Sequence, residues 1–194
     1  AVDGFYHIPL ADITAKTKNG MRYTALVTEE GDNITLEVEI VDKPAVDSPD
    51  VHLKAHATVS PAQPARIVVP MIQKQTMQAG ATENEFLKLK SGPMIHVRRM
   101  HFMSGEVNGI EIHKDYVKIY DATRSVEQMR AKRNKRHWQS GVFHFDPIMR
   151  GYYLDELFPT FHTNELKFTV KTDSEVGTIP IIVESVKVVR PELV

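Results

Sequence analysis

The chain has 194 residues, enough for one large or two small domains and for a core that needs no covalent staples. Acids and bases nearly balance, at a formal net charge of -1, which excludes a chain that binds polyanions over its whole surface. There is no cysteine, which excludes disulfide frameworks, thiol catalysis and cysteine-ligated zinc.

The first stretch, AVDGFYHIPLADI, has no basic segment followed by a long apolar one, so no signal peptide is expected in it. Its Phe5, Tyr6, Ile8 and Leu10 need burial somewhere. Two placements are open: an arm that locks onto a neighbouring molecule, or a first strand within the chain. The longest apolar runs, such as IVVPMI and IPIIV, fall far short of the ~20 residues that cross a bilayer as a helix.

MRYTALVTEE, then Gly31-Asp32-Asn33, then ITLEVEIVD reads as a β-hairpin. Ile34, Leu36, Val38 and Ile40 alternate with Thr35, Glu37 and Glu39, the period of a half-buried strand. A loop with two prolines spans Lys43 to Asp50. VHLKAHATV alternates again, with Val51, Leu53, Ala55, Ala57 and Val59 on one face. RIVVPMI predicts a strand that Pro70 confines to an edge or a bulge. Residues 73–84, QKQTMQAGATEN, are polar with no clear period and mark the expected module boundary. The expected division is an N-terminal β-rich module over 1–84 and a barrel over 85–194.

Six strand-like runs follow: EFLKLK, MIHVRRMHFM, GIEIHKDYVKIY, GVFHFD, ELKFTV and TIPIIVESVKVV. Short strands with regular turn signals point to an all-β sandwich or barrel. SGEVNG, Ser104 to Gly109, reads as a hairpin turn. Ser125 and Gln128 have capping-box spacing and start a helix, with Glu127 in its first turn and a Lys/Arg cluster in its last. Gly141 lies just past its end. A second, short helix, LDELF, stops at Pro159.

The basic helix is the most conspicuous chemical feature. Arg130, Lys132, Arg133, Lys135 and Arg136 spread around the helix, with Val126 and Met129 as a thin apolar anchor. Three readings are open: a solvated connecting helix, a contact with another subunit or with lipid headgroups, or a nucleic-acid contact. The last lacks a glycine-rich cradle and has only Trp138 to stack on a base.

Nine histidines raise the question of a metal. His52 and His56 lie about 13 Å apart along a strand, too far for one zinc. His96 and His101 are an odd number apart and so face opposite sides, while His144 and Asp146 share a face. All nine are read as structural, with no metal and no cofactor expected. The adjacent carboxylates Glu29-Glu30 and Asp155-Glu156, and the spaced pair Asp173 and Glu175, do not span a cleft as glycosidase chemistry requires. No nucleophile elbow, HExxH, Walker loop or GxGxxG is present, so no catalytic residue is assigned and no enzyme is expected.

The order of features from Glu85 onward is more specific than any motif. Strands EFLKLKSG and MIHVRRMHFMSG lead to VNGIEIHKDYVKIY, the capped helix ending in AKRNKRH, SGVFHFDP, RGYYLDELF, NELKFTVKT and TIPIIVESVKVV. This order resembles the jelly-roll major capsid proteins of the internal-membrane icosahedral viruses, the lineage of phages PRD1 and PM2. In that family each barrel carries a helix in one connection, a strand of the GVFHFDP kind, a G-x-x-L-D-x-L segment and a terminal hairpin. Here these are Ser125–His137, Gly141–Pro147, Gly151–Leu157 and Leu166–Val189. The resemblance implies a viral coat protein in the virion, made in the host cytoplasm. It would self-assemble into trimeric or hexamer-like capsomers of an icosahedral shell, with a second coat protein and an underlying lipid membrane as further partners. No sequence-specific nucleic acid is implied. Residues 1–84 are short for a second complete barrel, so a single barrel with an N-terminal β extension, or a trimmed second barrel, is expected. The competing reading is a carbohydrate- or ligand-binding β-sandwich, which calls for an aromatic-lined face. An enzyme of the metal cupin kind would need H-x-H, which the sequence lacks.

Overall fold

A half-buried strand needs two partners, a neighbouring strand for its backbone and a core for one face. The computed structural model describes residues 8–12, 14–28, 30–38, 54–59, 67–86 and 89–189. Within them the strands in chain order are β1 (Val68–Ala79), β2 (Thr82–Phe86), β3 (Ile95–Phe102), β4 (Val107–Lys114), β5 (Val117–Thr123), β6 (Phe143–Phe145), β7 (Phe158–Pro159), β8 (Leu166–Thr172) and β9 (Gly177–Val188). The helices are α1 (Lys18–Thr24), α2 (Arg124–Arg133) and α3 (Tyr153–Glu156).

The strands form two antiparallel sheets. One has the order β1-β9-β3-β6, with the short β7 pairing the far part of β3. The other has the order β2-β8-β4-β5. The chain passes repeatedly between the two sheets, so its sequence neighbours seldom pair. Apart from the two-residue β7, this is the eight-strand, two-sheet arrangement of a jelly roll.

The two inner faces meet in one aromatic-rich core. Phe86 and Phe168 come from one sheet, and Phe102, Phe143 and Phe145 from the other; all five are fully buried. Phe145 meets Tyr120, Phe158 and Phe168 edge to face at centroid distances of 5.1, 5.6 and 6.3 Å. Burying each such ring contributes about 1.5–3 kcal/mol. A second, smaller core of Ile67, Val68, Ile148, Leu157 and Val186 lies at β1 and β9, and Tyr23 of α1 packs against it. By contrast, β4, β5 and β8 carry an ion ladder in which Glu111 meets Lys118 at 3.3 Å and Lys171 at 3.1 Å.

Pro70 sits in β1, an edge strand, where its missing N–H costs no ladder bond. Several other expectations are corrected. Residues 73–84 are strand over most of their length, finishing β1 and opening β2, because each backbone finds a partner in β9 or β8. SGEVNG joins β3 to β4, which lie in different sheets, so it is a crossing and not a hairpin turn. The reverse holds for GIEIHKDYVKIY, which is two strands folded back at Asp115-Tyr116, both with positive φ.

The hairpin expected over residues 21–42 is not formed among the described residues, and its end, with Ile40, lies outside them. Met21 to Thr24 belong to α1, whose N-cap Thr17 accepts a hydrogen bond from the Gly20 N–H at 3.0 Å. Residues 32–38 carry no ladder, and Ile34, Leu36 and Val38 are exposed. The strand expected over 51–59 is likewise absent from 54–59, and its earlier residues lie outside the described ones.

Candidate subunit-contact surface

α2 follows β5 directly, and its N-cap is Thr123 rather than Ser125. The expected capping box does not form: no side chain caps the helix, and the Thr123 and Ser125 hydroxyls bond each other at 3.0 Å. Its anchor also differs from expectation. Met129 faces solvent, and the helix is held by Ala131 and by Glu127, which is only 1% exposed. Glu127 accepts from the Tyr120 hydroxyl at 2.5 Å and from Arg130 at 2.7 Å. Arg130 also donates to the Tyr120 oxygen at 2.8 Å. Burial and the Glu127 carboxylate push the Tyr120 phenol well above its ordinary range.

The five cations therefore divide into two groups. Arg130 neutralises Glu127, and Arg136 donates to the Met149 carbonyl at 3.2 Å. Arg124, just upstream, is tied to the carbonyls of Gly105 and Val107. Lys132, Arg133 and Lys135 are exposed and have no ion-pair partner among the described residues. They gather positive charge at the C-terminal end of the helix, where cations complement the dipole.

The end of α2 is a Schellman turn. Arg136 N–H bonds the Ala131 carbonyl at 2.9 Å, and Lys135 N–H bonds the Lys132 carbonyl at 3.1 Å. Such a turn needs a left-handed residue, which here is Lys135 at φ +56° and not Gly141, which turns the chain just before β6. A β-carbon in that conformation costs about 1 kcal/mol. Lys135→Gly is expected to raise stability by about 1 kcal/mol, read as a shifted urea midpoint with unchanged slope.

The outer face of the β1-β9-β3-β6 sheet carries a second charged group. β3 pairs β9 as Val97 with Ser185 and then Arg99 with Glu184, so Arg98 is an extra, bulged residue. The bulge lets both arginines reach the Glu184 carboxylate, at 3.6 and 3.5 Å. Arg98 also pairs Asp12 at 3.0 Å, and Arg99 pairs Asp146 at 3.3 Å. The same bulge places His96 and His101 on one face, opposite Val186 and Ile182, which corrects the odd-number argument. His144 meets His101, not Asp146: their Nδ1 atoms are 2.7 Å apart, and His101 Nε2 reaches Glu184 at 3.2 Å. Burial pushes Glu184 up, but His101, Arg98 and Arg99 outweigh it and hold the carboxyl at about 2.

The N-terminal segment docks on this face. Phe5 and Tyr6 lie outside the described residues, and Ile8 and Leu10 are exposed. What is buried instead is Asp12, 2% exposed. Burial pushes its carboxyl up, while the Thr14 hydroxyl and Arg98 outweigh this and leave it below the ordinary range. Lys16 N–H bonds the Gly151 carbonyl at 2.9 Å. Gly151 is required there: its φ is +91°, and a β-carbon would come within 3.0 Å of the Thr14 carbonyl. The sequence reading missed Asp12, Arg98, Arg99 and Glu184. The available signal was two adjacent arginines inside an apolar strand, which demand counter-charges.

The model of the viral coat protein P2 C-terminal domain matches residues 69–189, well over half of the chain and all but the first residue of the two-sheet barrel. The chain belongs to the viral coat protein P2 family. The model of that family's N-terminal domain matches residues 1–60. The fold agrees with two solved structures. The crystal structure of the major capsid protein P2 from Bacteriophage PM2 aligns with a TM-score of 0.58 at 15% identity, over 66% of this chain and 48% of that chain. The crystal structure of the STIV MCP aligns with a TM-score of 0.50 at 9% identity, over 66% of this chain and 43% of that one. The chain thus spans about half the length of the solved relatives it matches. No curated protein sequence matches it.

Proposed function

We propose that this coat-family chain is a structural building block of the virion, associating with copies of itself into trimeric or hexamer-like capsomers of an icosahedral shell and catalysing no reaction. The observation that carries the reading is the jelly-roll strand order, β1-β9-β3-β6 facing β2-β8-β4-β5, over the segment that matches the coat-protein model. Assembly of such a subunit works through edges and surface charge. The edges of β1 and β5 and the cations Lys132, Arg133 and Lys135, open and without an ion pair among the described residues, are the surfaces we assign to it. These cations suit an acidic surface, on a neighbouring copy, on a second coat protein or on the headgroups of a membrane beneath the shell. The division between an N-terminal unit and the barrel falls, in this reading, before β1, since β1 pairs with β9 along its whole length.

Light scattering behind a sizing column, with negative-stain images of the peak, tests the assembly. Trimers, rings or shells are the expected result. A monomer at every concentration and salt, alone and with liposomes, removes the self-assembly reading. The double variant Arg133→Glu, Lys135→Glu is expected to weaken assembly severalfold while changing unfolding free energy by less than about 1 kcal/mol, since both side chains are exposed. A variant that no longer folds would make the helix end structural instead.

A further inference from the structure

β6 is only three residues long, yet it forms an edge of its sheet and carries the chain out of the basic connection after α2. Three register pairs hold it to β3: Met100 with Phe145, His101 with His144, and Phe102 with Phe143. Two of these pairs are apolar and face the core. The third is the histidine pair on the outer face, with rings edge to face at 5.0 Å and Nδ1 atoms 2.7 Å apart.

That hydrogen bond has a strict proton requirement. One Nδ1 must carry a hydrogen and the other must offer a lone pair. Two protonated imidazoles would point two N–H groups at each other and repel. The surroundings add to this. His144 is faced by Arg99 of β3 and Arg124 of α2, while the acidic group it senses is Glu184 of β9, already shared by Arg98, Arg99 and His101. Just past its own strand, Asp146 is committed to Arg99, and Arg136 adds further positive charge beside that carboxylate. The Trp138 ring covers His144 at 5.0 Å and also packs on Phe143 at 5.9 Å. Trp138 lies in the same connection as Lys135 and Arg136.

We propose that the His101–His144 pair is an acid-sensitive pin, holding β6 and the Trp138 connection against β3 while the pair shares one proton and releasing that edge when both rings are charged. Burial, then the nearby His101, Arg99 and Arg124, depress His144 to about 4 from its ordinary 6.5. The docked edge therefore refuses a proton that the released edge accepts. By linkage, docking weakens as pH falls from about 6.5 and stops weakening near 4. The consequence for assembly rests on the coat reading, because the released edge adjoins the unpaired cations. The pin itself does not depend on that reading.

Trp138 is the chain's single tryptophan, which makes the pin directly observable. Its fluorescence in the full chain is followed from pH 7.5 to 3.5, alongside circular dichroism and pH-corrected amide exchange of residues 142–146. Expected is a quenching or red-shifted step between about pH 6.5 and 4, with exchange in 142–146 rising at least tenfold while β4 and β8 stay protected. The step is expected to vanish in His144→Asn. If that variant fails to fold, His101→Asn decides, since without the second imidazole no like-charged pair can form and the step should vanish or leave its wild-type midpoint. An unchanged midpoint there overturns the proposal. So does a step that survives in His144→Asn, a step that coincides with loss of the whole β signal, or no step at all. Light scattering on the same samples reads assembly separately, so a failed coat reading leaves the fluorescence result standing.

Discussion

Phe168→Ala is expected to lower stability by about 3–5 kcal/mol, the range for truncating a buried phenylalanine. Phe168 is completely buried in β8, the strand that pairs with both β2 and β4. Its ring meets Phe86 at 6.5 Å, Phe145 at 6.3 Å and Phe158 at 5.9 Å, so it joins strands from both sheets. Removing it deletes the hydrophobic transfer term and leaves a cavity that three other rings must tilt to fill. For a chain of this size the melting temperature should fall on the order of 10 °C. Ile119→Ala is the control: Ile119 lies on the edge strand β5 and is 45% exposed, so its loss should stay within about 0.5 kcal/mol. Equal losses for the two variants would mean that the sheets are not packed through this aromatic layer. Paired thermal and urea melts read the difference.

Glu184→Gln is expected to cost on the order of 3 kcal/mol at pH 7. Glu184 is a carboxylate that both bulge-placed arginines reach, and it also meets His101. Neutralising it still leaves Arg98 paired with Asp12 and Arg99 with Asp146, so neither arginine loses its last carboxylate and the loss stays short of a fully orphaned charge. The pH profile gives an independent check. In the folded chain this carboxyl sits at about 2, below its ordinary 4.5. Its contribution is therefore complete above pH 4.5 and is lost as pH falls through that value toward about 2. Stability of the wild type should drop along that limb, and Glu184→Gln should drop less steeply. Parallel limbs in the two proteins would show that the ion pairs do not stabilise the fold. This window lies mostly below that of His144, which runs from about 6.5 to 4, so the two groups can be separated in one set of melts.

Much of the barrel was legible because strand alternation is local. MIHVRRMHFM, GVFHFD, ELKFTV and TIPIIVESVKVV each hold a strand where expected, and the turn residues between them bound it. The helix after β5 was legible from its dipole-matched ends, Glu127 near the start and the Lys/Arg cluster at the finish. Its anchor was not. Glu127 reads as a surface residue in any helical pattern and is buried only because Tyr120 and Arg130 satisfy it. MRYT reads as strand because nothing local reveals that Thr17 caps a helix there.

The sequence by itself determined the strand-rich class, the cysteine-free core, the presence of a basic helix end and the chain order that resembles a jelly-roll coat protein. These follow from spacing along the chain, where side-chain period and capping act over a few residues. The tertiary structure alone decided which cations are spent internally, which polar groups are buried and which histidines meet. Each of those depends on pairing between strands far apart in sequence. A single bulged residue, Arg98, shifts the phase of β3 against β9 and so puts two arginines beside one glutamate and His96 on the same face as His101. Side-chain period reports only the face a residue takes relative to its own neighbours, and register across the sheet is an independent choice made by the folded core.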